Sequence, residues 1–331
     1  MSQVTQAGMN RTVAVVILVF INILWGSTYA VTKVALQEIP PPLLGAGRWI
    51  TATVLLWLIH LWLTKPQAGR PVETVTGADK VRLFGLGSLG IGIAYVIGYF
   101  GINLTTATDA SLMIIGEVIC TTLFAAWLTQ DPLGQSKVLG MGLGAVGVTI
   151  LVLGHVAGDT SGGQGWTRAL GDLMILVTLA LQALYTVLGT DLARKYRPMT
   201  VLTYVCTGSL LIWLPIVLWY GASGELPATV SLRALGGVLY LAVIASVFCN
   251  FVWFSIASRI GAGLSAISLF AQPLVGAFIG LVFLNEPFTL SLLSGGILIF
   301  VALYLTTVAP PLVVKPTQTA PVEAEASRVE G

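Results

Sequence analysis

Ten apolar stretches follow one another between Val13 and Val308, each long enough, at about 1.5 Å per helical residue, to cross a hydrocarbon core of roughly 30 Å. Hydrocarbon offers the backbone no hydrogen-bond partner, so spans this long and uniformly apolar must close their own hydrogen bonds as helices. They fall near Val13–Leu36, Leu43–Leu63, Leu83–Ile102, Thr108–Leu128, Val138–Gly154, Ala169–Gly189, Val201–Tyr220, Leu235–Ala257, Leu264–Leu284 and Leu290–Val308. The expected fold is an all-α integral membrane protein with ten transmembrane helices. Charged residues make up 9% of the chain, against about 25% in soluble domains. The first span is too long for a cleaved signal peptide. Water is left a leader (1–12), an outer connection (155–168) and a tail (309–331) whose Pro, Ala, Glu and Thr suggest disorder. No soluble catalytic domain fits into these.

An even number of spans puts both chain ends on one face. Of the 16 Lys and Arg, all but Lys33, Arg48, Arg168 and Arg233 fall on that face, and the cationic bias of cytoplasmic loops then makes both termini cytoplasmic. The net charge of +2 resides mostly in those loops, and no nucleic-acid partner is expected. Cys120, Cys206 and Cys249 lie inside spans without paired spacing, which points to structural thiols rather than a disulfide or zinc site. No metal and no cofactor are expected. No Gly-x-x-x-x-Gly-Lys-Ser/Thr sequence occurs, so the work available is that of a substrate gradient, a proton gradient or exchange.

The chain also resembles itself at an offset of 156 residues. Over Trp25–Trp57 and Leu181–Trp213, Tyr29 meets Tyr185, Pro42 meets Pro198, Thr51 meets Thr207 and Trp57 meets Trp213; further on, Ala110 meets Ala266 and Gly140 meets Gly296. The halves, 13–154 and 169–308, hold five spans each. An odd number makes the second half enter from the opposite face, so the repeats are inverted, and inverted repeats place a transporter's substrate site between the halves near the midplane.

"WGSTYAVTKVAL" followed by "IPPPLLGAGRW", and "SLFAQPLVGAFIGLVFLNEPFT" at the ninth span, resemble the EamA-type members of the drug/metabolite transporter superfamily. The similarity runs from about Met9 to Val308. It implies ten helices, cytoplasmic termini in a bacterial inner (plasma) membrane, and movement of small metabolites, commonly outward.

Glu117 is the sharpest single residue, because an acidic side chain near the midplane costs roughly 2.5–3.5 kcal/mol on insertion scales. At the repeat offset it lies over Pro273. The resembled family often has Pro there in both halves and lines its cavity with these two helices, so the first half departs from the pattern. Three readings stay open: a structural tie to nearby Ser, Thr or Asn; a counter-charge for a substrate amine; or a proton carrier. Trp25, Tyr29, Tyr95, Tyr99, Gln182, Tyr185, Asn250, Trp253 and Gln272 lie at similar depth and are the other candidate cavity residues. Lys33 and Arg48, toward the outer end of the first hairpin, read as snorkelling to outer headgroups or, as the resemblance implies, as gating or anchoring residues. Asp109 and Arg168 read as meeting water near the outer face.

The expected function is therefore a secondary transporter, an exporter of amino acids or similar zwitterions, with organic-cation efflux as the alternative and a non-transporting sensor or assembly subunit as the rival of another class. An intramembrane serine protease is set aside, since Ser223 in "GASG" has no histidine on a later helix. The expected partners are the lipid bilayer, a small-molecule substrate and, in the third reading of Glu117, protons. Gly140–Gly144 and Gly276–Gly280 have the small-xxx-small spacing of close helix contacts, within a monomer or between the chains of a homodimer.

Overall fold

Apolar runs become helices throughout the structure, a computed structural model that describes residues 11–63, 73–128, 133–158, 164–260 and 268–308. The helices are α1 (Arg11–Ala35), α2 (Pro41–Leu63), α3 (Gly77–Gly87), α4 (Ala94–Leu104), α5 (Ala107–Leu112), α6 (Ile114–Leu128), α7 (Gln135–Ala157), α8 (Gln164–Leu188), α9 (Thr190–Lys195), α10 (Pro198–Ser223), α11 (Leu232–Leu239), α12 (Cys249–Ile260), α13 (Ala271–Phe283) and α14 (Leu290–Thr307). Among the described residues nine helical stretches are long and apolar enough to cross a membrane. The ninth expected span is described only as α13, whose 13 residues rise about 20 Å. Residues 264–267, where that span was expected to begin, lie outside the described residues, as do most of the leader and the tail after Val308.

Several helices start earlier than hydropathy predicts. The third begins at Gly77 rather than Leu83, because the Thr76 side chain accepts the Asp79 amide and lets a polar first turn wind onto the apolar run. Ser231 does the same for α11 by accepting the Ala234 amide. An apolar window cannot register such turns.

The two halves share their irregularities. A π-helical segment, Ser88–Ile93, joins α3 to α4, and another, Tyr240–Phe248, joins α11 to α12. The fourth span breaks at Met113 between α5 and α6, and the ninth turns at Leu269 and Phe270 just before α13. Each pair is separated by about the 156 residues of the sequence offset. π segments leave carbonyls out of the regular ladder; the first supplies Gly90 and Ile91 to the cavity described below, and the second holds cavity residues through Ala245 and Ser246.

Small residues set the closest approaches. A side-chain carbon at Gly140 would meet the Ala302 carbonyl, joining α7 to α14, and one at Gly276 would overlap Ser111, joining α13 to α5. Both small-xxx-small patterns thus face partners within the same chain. Leu61, Leu218, Phe283 and Leu290 are exposed on the outside of the bundle, as lipid-facing side chains are. Trp62 and Trp127 mark one end of the bundle and Trp166 and Trp219 the other, all exposed, in the manner of two interfacial aromatic belts.

Candidate functional site: a central cavity

The helices enclose a cavity of about 590 Å³. Its floor, toward the face opposite the start of α1 and the end of α14, is formed by Thr32 and Ile102, both buried. Its other limit is Lys137, at the start of α7, and Thr186, near the end of α8, both exposed. The mouth therefore opens on the face that carries the chain ends.

Glu117, Trp25, Tyr29, Tyr95, Tyr99, Gln182, Tyr185, Asn250, Trp253 and Gln272 all line this one cavity. Glu117 comes from α6 and makes no hydrogen bond or ion pair to a described residue, so no structural tie by Ser, Thr or Asn is seen. Arg48 lines the same cavity and does not snorkel outward. It is 6% exposed; Nε donates to Ser246 Oγ at 2.8 Å and Nη1 to Tyr99 OH at 3.3 Å. Its guanidinium lies 4.7 Å from the Trp49 ring centre and 5.1 Å from that of Tyr95. Rings and hydroxyls, rather than a carboxylate, hold this cation, so its remaining hydrogen-bonding capacity is directed at the cavity. Tyr29 and Tyr95 each lie within electrostatic reach of both Glu117 and Arg48. The two charges share a cavity without forming an ion pair.

Other members are fixed by the π segment. Trp25 Nε1 donates to the Ala245 carbonyl at 2.9 Å, and the Asn250 amide donates to Ser246 O at 2.9 Å. Trp25 and Trp253 meet with ring centres 5.7 Å apart, and Tyr95 and Tyr99 at 5.9 Å. Gln272 Nε2 donates to Asn22 Oδ1 at 2.6 Å, while Asn22 donates to Ser268 Oγ at 2.9 Å. Pro273 is buried next to Gln272 in the first turn of α13 and does not reach the cavity.

Polar contacts seal the floor end. Lys33 Nζ donates to the carbonyls of Ile102 and Asn103 at 2.9 Å and of Thr105 at 2.5 Å, so its ammonium is taken up by the C-terminal end of α4 rather than by headgroups. Glu286 accepts the Ala107 amide at 2.7 Å and the Thr108 amide at 2.9 Å, capping α5. Asp109 does not meet water as expected: it is 2% exposed and accepts Nη2 of the partly exposed Arg168 at 2.7 Å. His155, expected in a loop, is buried in the last turn of α7 beside them.

Sequence reasoning passed over Asn22, Lys137 and the hydroxyl lining. Thr178, Gln182 and Thr186 recur every four residues on α8, and Trp25, Thr28, Tyr29 and Thr32 every three or four on α1. That spacing was the available signal. Arg48 was named but placed at the wrong depth.

With this geometry in hand, likeness to known proteins is informative. Residues 12–153 and 169–308 each match the model of the EamA-like transporter family. A protein named as an uncharacterized transporter from Archaeoglobus fulgidus is 26% identical over 88% of this chain and 96% of its own length. Protein PecM of Dickeya dadantii is 28% identical over 85% of this chain and 88% of its own. The fold is similar to that of a solved crystal structure with a TM-score of 0.58 at 19% identity, covering 90% of this chain and 97% of that one.

Proposed function

Because the chain belongs to the EamA-like transporter family, we propose that it is a secondary transporter that exports small amphipathic zwitterions, amino acids or similar compounds, by alternating access between two inverted five-helix repeats. The observation that carries this reading is the pair of opposite, unpaired charges, Glu117 and Arg48, facing one aromatic-lined cavity. An arginine fork suits a carboxylate, and a carboxylate suits an ammonium. A substrate bringing both groups would neutralise each charge and complete the hydrogen bonding of both. A bare organic cation would answer Glu117 and the rings of Trp25, Tyr29 and Trp253 but leave Arg48 unmatched.

In this reading there are ten crossings with the termini in the cytoplasm of a bacterial cell, so the mouth at Lys137 and Thr186 receives cytoplasmic substrate. Glu117, with no described partner, takes a proton when the cavity is without its cationic group, coupling export to a proton gradient. Lys33 gates the outer end. The transporter acts as a monomer, since the small-residue stripes are occupied within the chain.

The test is flux in proteoliposomes with a labelled panel of amino acids and organic cations under an imposed pH gradient. Gradient-driven movement of zwitterions, lost in Arg48→Gln and uncoupled from pH in Glu117→Gln, is the expected result. Flux of cations alone, unchanged in Arg48→Gln, would sink the zwitterion assignment.

A further inference from the structure

Away from the cavity, the outer ends of the fourth, fifth and sixth spans meet at a second polar group. Asp109 on α5, His155 on α7 and Asp172 on α8 are 2%, 7% and 0% exposed. His155 Nε2 stands 3.2 Å from Asp172 Oδ2 and 3.4 Å from Asp109 Oδ2, yet meets hydrogen-bond geometry with neither; Asp172 Oδ2 has no hydrogen-bond partner among the described residues. One donor atom from each residue fits within 4.8 Å of the others. We propose that Asp109, His155 and Asp172 form a binding site for a divalent first-row transition cation, with zinc(II) the best match.

The separations carry the argument. A tetrahedral ion with bonds of about 2.0–2.1 Å to imidazole nitrogen and carboxylate oxygen sets its ligand atoms roughly 3.3 Å apart, and the two measured separations bracket that edge. A proton on Nε2 would have to point at one carboxylate or the other, and the ring is aligned with neither. A cation on the nitrogen lone pair serves both. One surrounding hydrogen bond leaves a ligand atom free, since Thr105 Oγ1 donates to Asp172 Oδ1 and leaves Oδ2 for an ion, whereas Thr106 Oγ1 donates at 2.6 Å to Asp109 Oδ2, the same oxygen that faces His155.

Charge points the same way. With a neutral imidazole, two carboxylates and the guanidinium of Arg168 leave one uncompensated negative charge. Arg168 is 26% exposed, its buried Nε has no hydrogen-bond partner among the described residues, and its Nη2 occupies the same Asp109 oxygen that faces His155. It stands between solvent and the three ligands as a placeholder that an entering cation displaces. The sequence hides this site, because its members lie on three helices with no motif spacing.

The experiment uses the full chain in detergent without a polyhistidine tag. Calorimetry with Zn²⁺ is expected to show one ion bound per chain, and Co²⁺ the strong visible absorption of a four-coordinate nitrogen and oxygen site. His155→Asn and Asp172→Asn should each weaken binding by about tenfold or more, while Arg168→Gln, which removes a competitor and no ligand, should hold or tighten it. The absence of saturable binding would overturn the proposal and leave His155 as a neighbour of the two carboxylates with no metal between them. A thiolate band in the cobalt spectrum, or unchanged affinity in well-folded His155→Asn, would overturn it too. Should those variants fail to fold, the wild-type spectrum and Arg168→Gln decide the matter.

Discussion

At the scale of the residue, the cavity is a problem of unpaired charge. Glu117 was visible in the sequence because an acid stands out in an apolar run; Arg48 was visible but misread, because a basic residue near a helix start looks the same whether it turns outward or inward. What turns it inward is the π segment on the opposite half, which presents Ser246, and the rings of Trp49 and Tyr95, none of them near Arg48 in sequence except Trp49. Replacing Arg48 by Lys keeps the charge but loses the fork. A charged hydrogen bond is worth about 1.5–3 kcal/mol, so substrate affinity should fall about tenfold or more in binding assays. Asn22 is fully buried and bridges α1 to Gln272 and Ser268. Asn22→Ala leaves Gln272 Nε2 without that acceptor, and a thermal melt in detergent should register a loss of about 1–3 kcal/mol.

At the scale of the element, helices were legible and their irregularities were not. Apolar length alone located the described spans but missed their starts by up to six residues, while the π segments, the break at Met113 and the polar first turn from Gly77 depend on tertiary contacts or capping that hydropathy does not carry. Helix ends are tied down by carboxylates from distant segments. Glu286→Ala would leave the Ala107 and Thr108 amides without their acceptor at about 1–3 kcal/mol each, and the melting midpoint should drop more than in Glu286→Gln, which keeps one acceptor oxygen. Glu38, in the turn after α1, accepts both the amide and the hydroxyl of Ser231, which hold its carboxyl below the usual carboxylate range. A depressed folded value means that the cap is fully present above the unfolded carboxylate value near pH 4 and is lost as pH falls through the lower, folded one. Hydrogen exchange at the Ser231 amide should therefore stay slow, relative to its intrinsic rate, until the pH falls below about 4.

At the scale of the whole molecule, the cavity has one mouth and one floor. After replacement of Cys120, Cys206 and Cys249, cysteine at Thr186 should react with a polar thiol reagent applied from the face of the chain ends, and cysteine at Thr32 should not react from either face. Adding Lys33→Met should expose Thr32→Cys to the outer reagent; continued protection would mean that Lys33 does not hold the floor shut. The repeat gives this arrangement a further meaning. Were the halves identical in sequence, the two facing directions would be equivalent and an empty carrier would spend equal time in each. Lys33 falls over Gly189, which has no side chain with which to build a matching clamp at the other end. Every 1.4 kcal/mol by which the outer clamp outweighs its counterpart shifts the equilibrium between the two directions about tenfold. An idle molecule would then wait with its mouth toward its own termini, and in the proposed export cycle its slow step would be the loaded excursion outward, not the return.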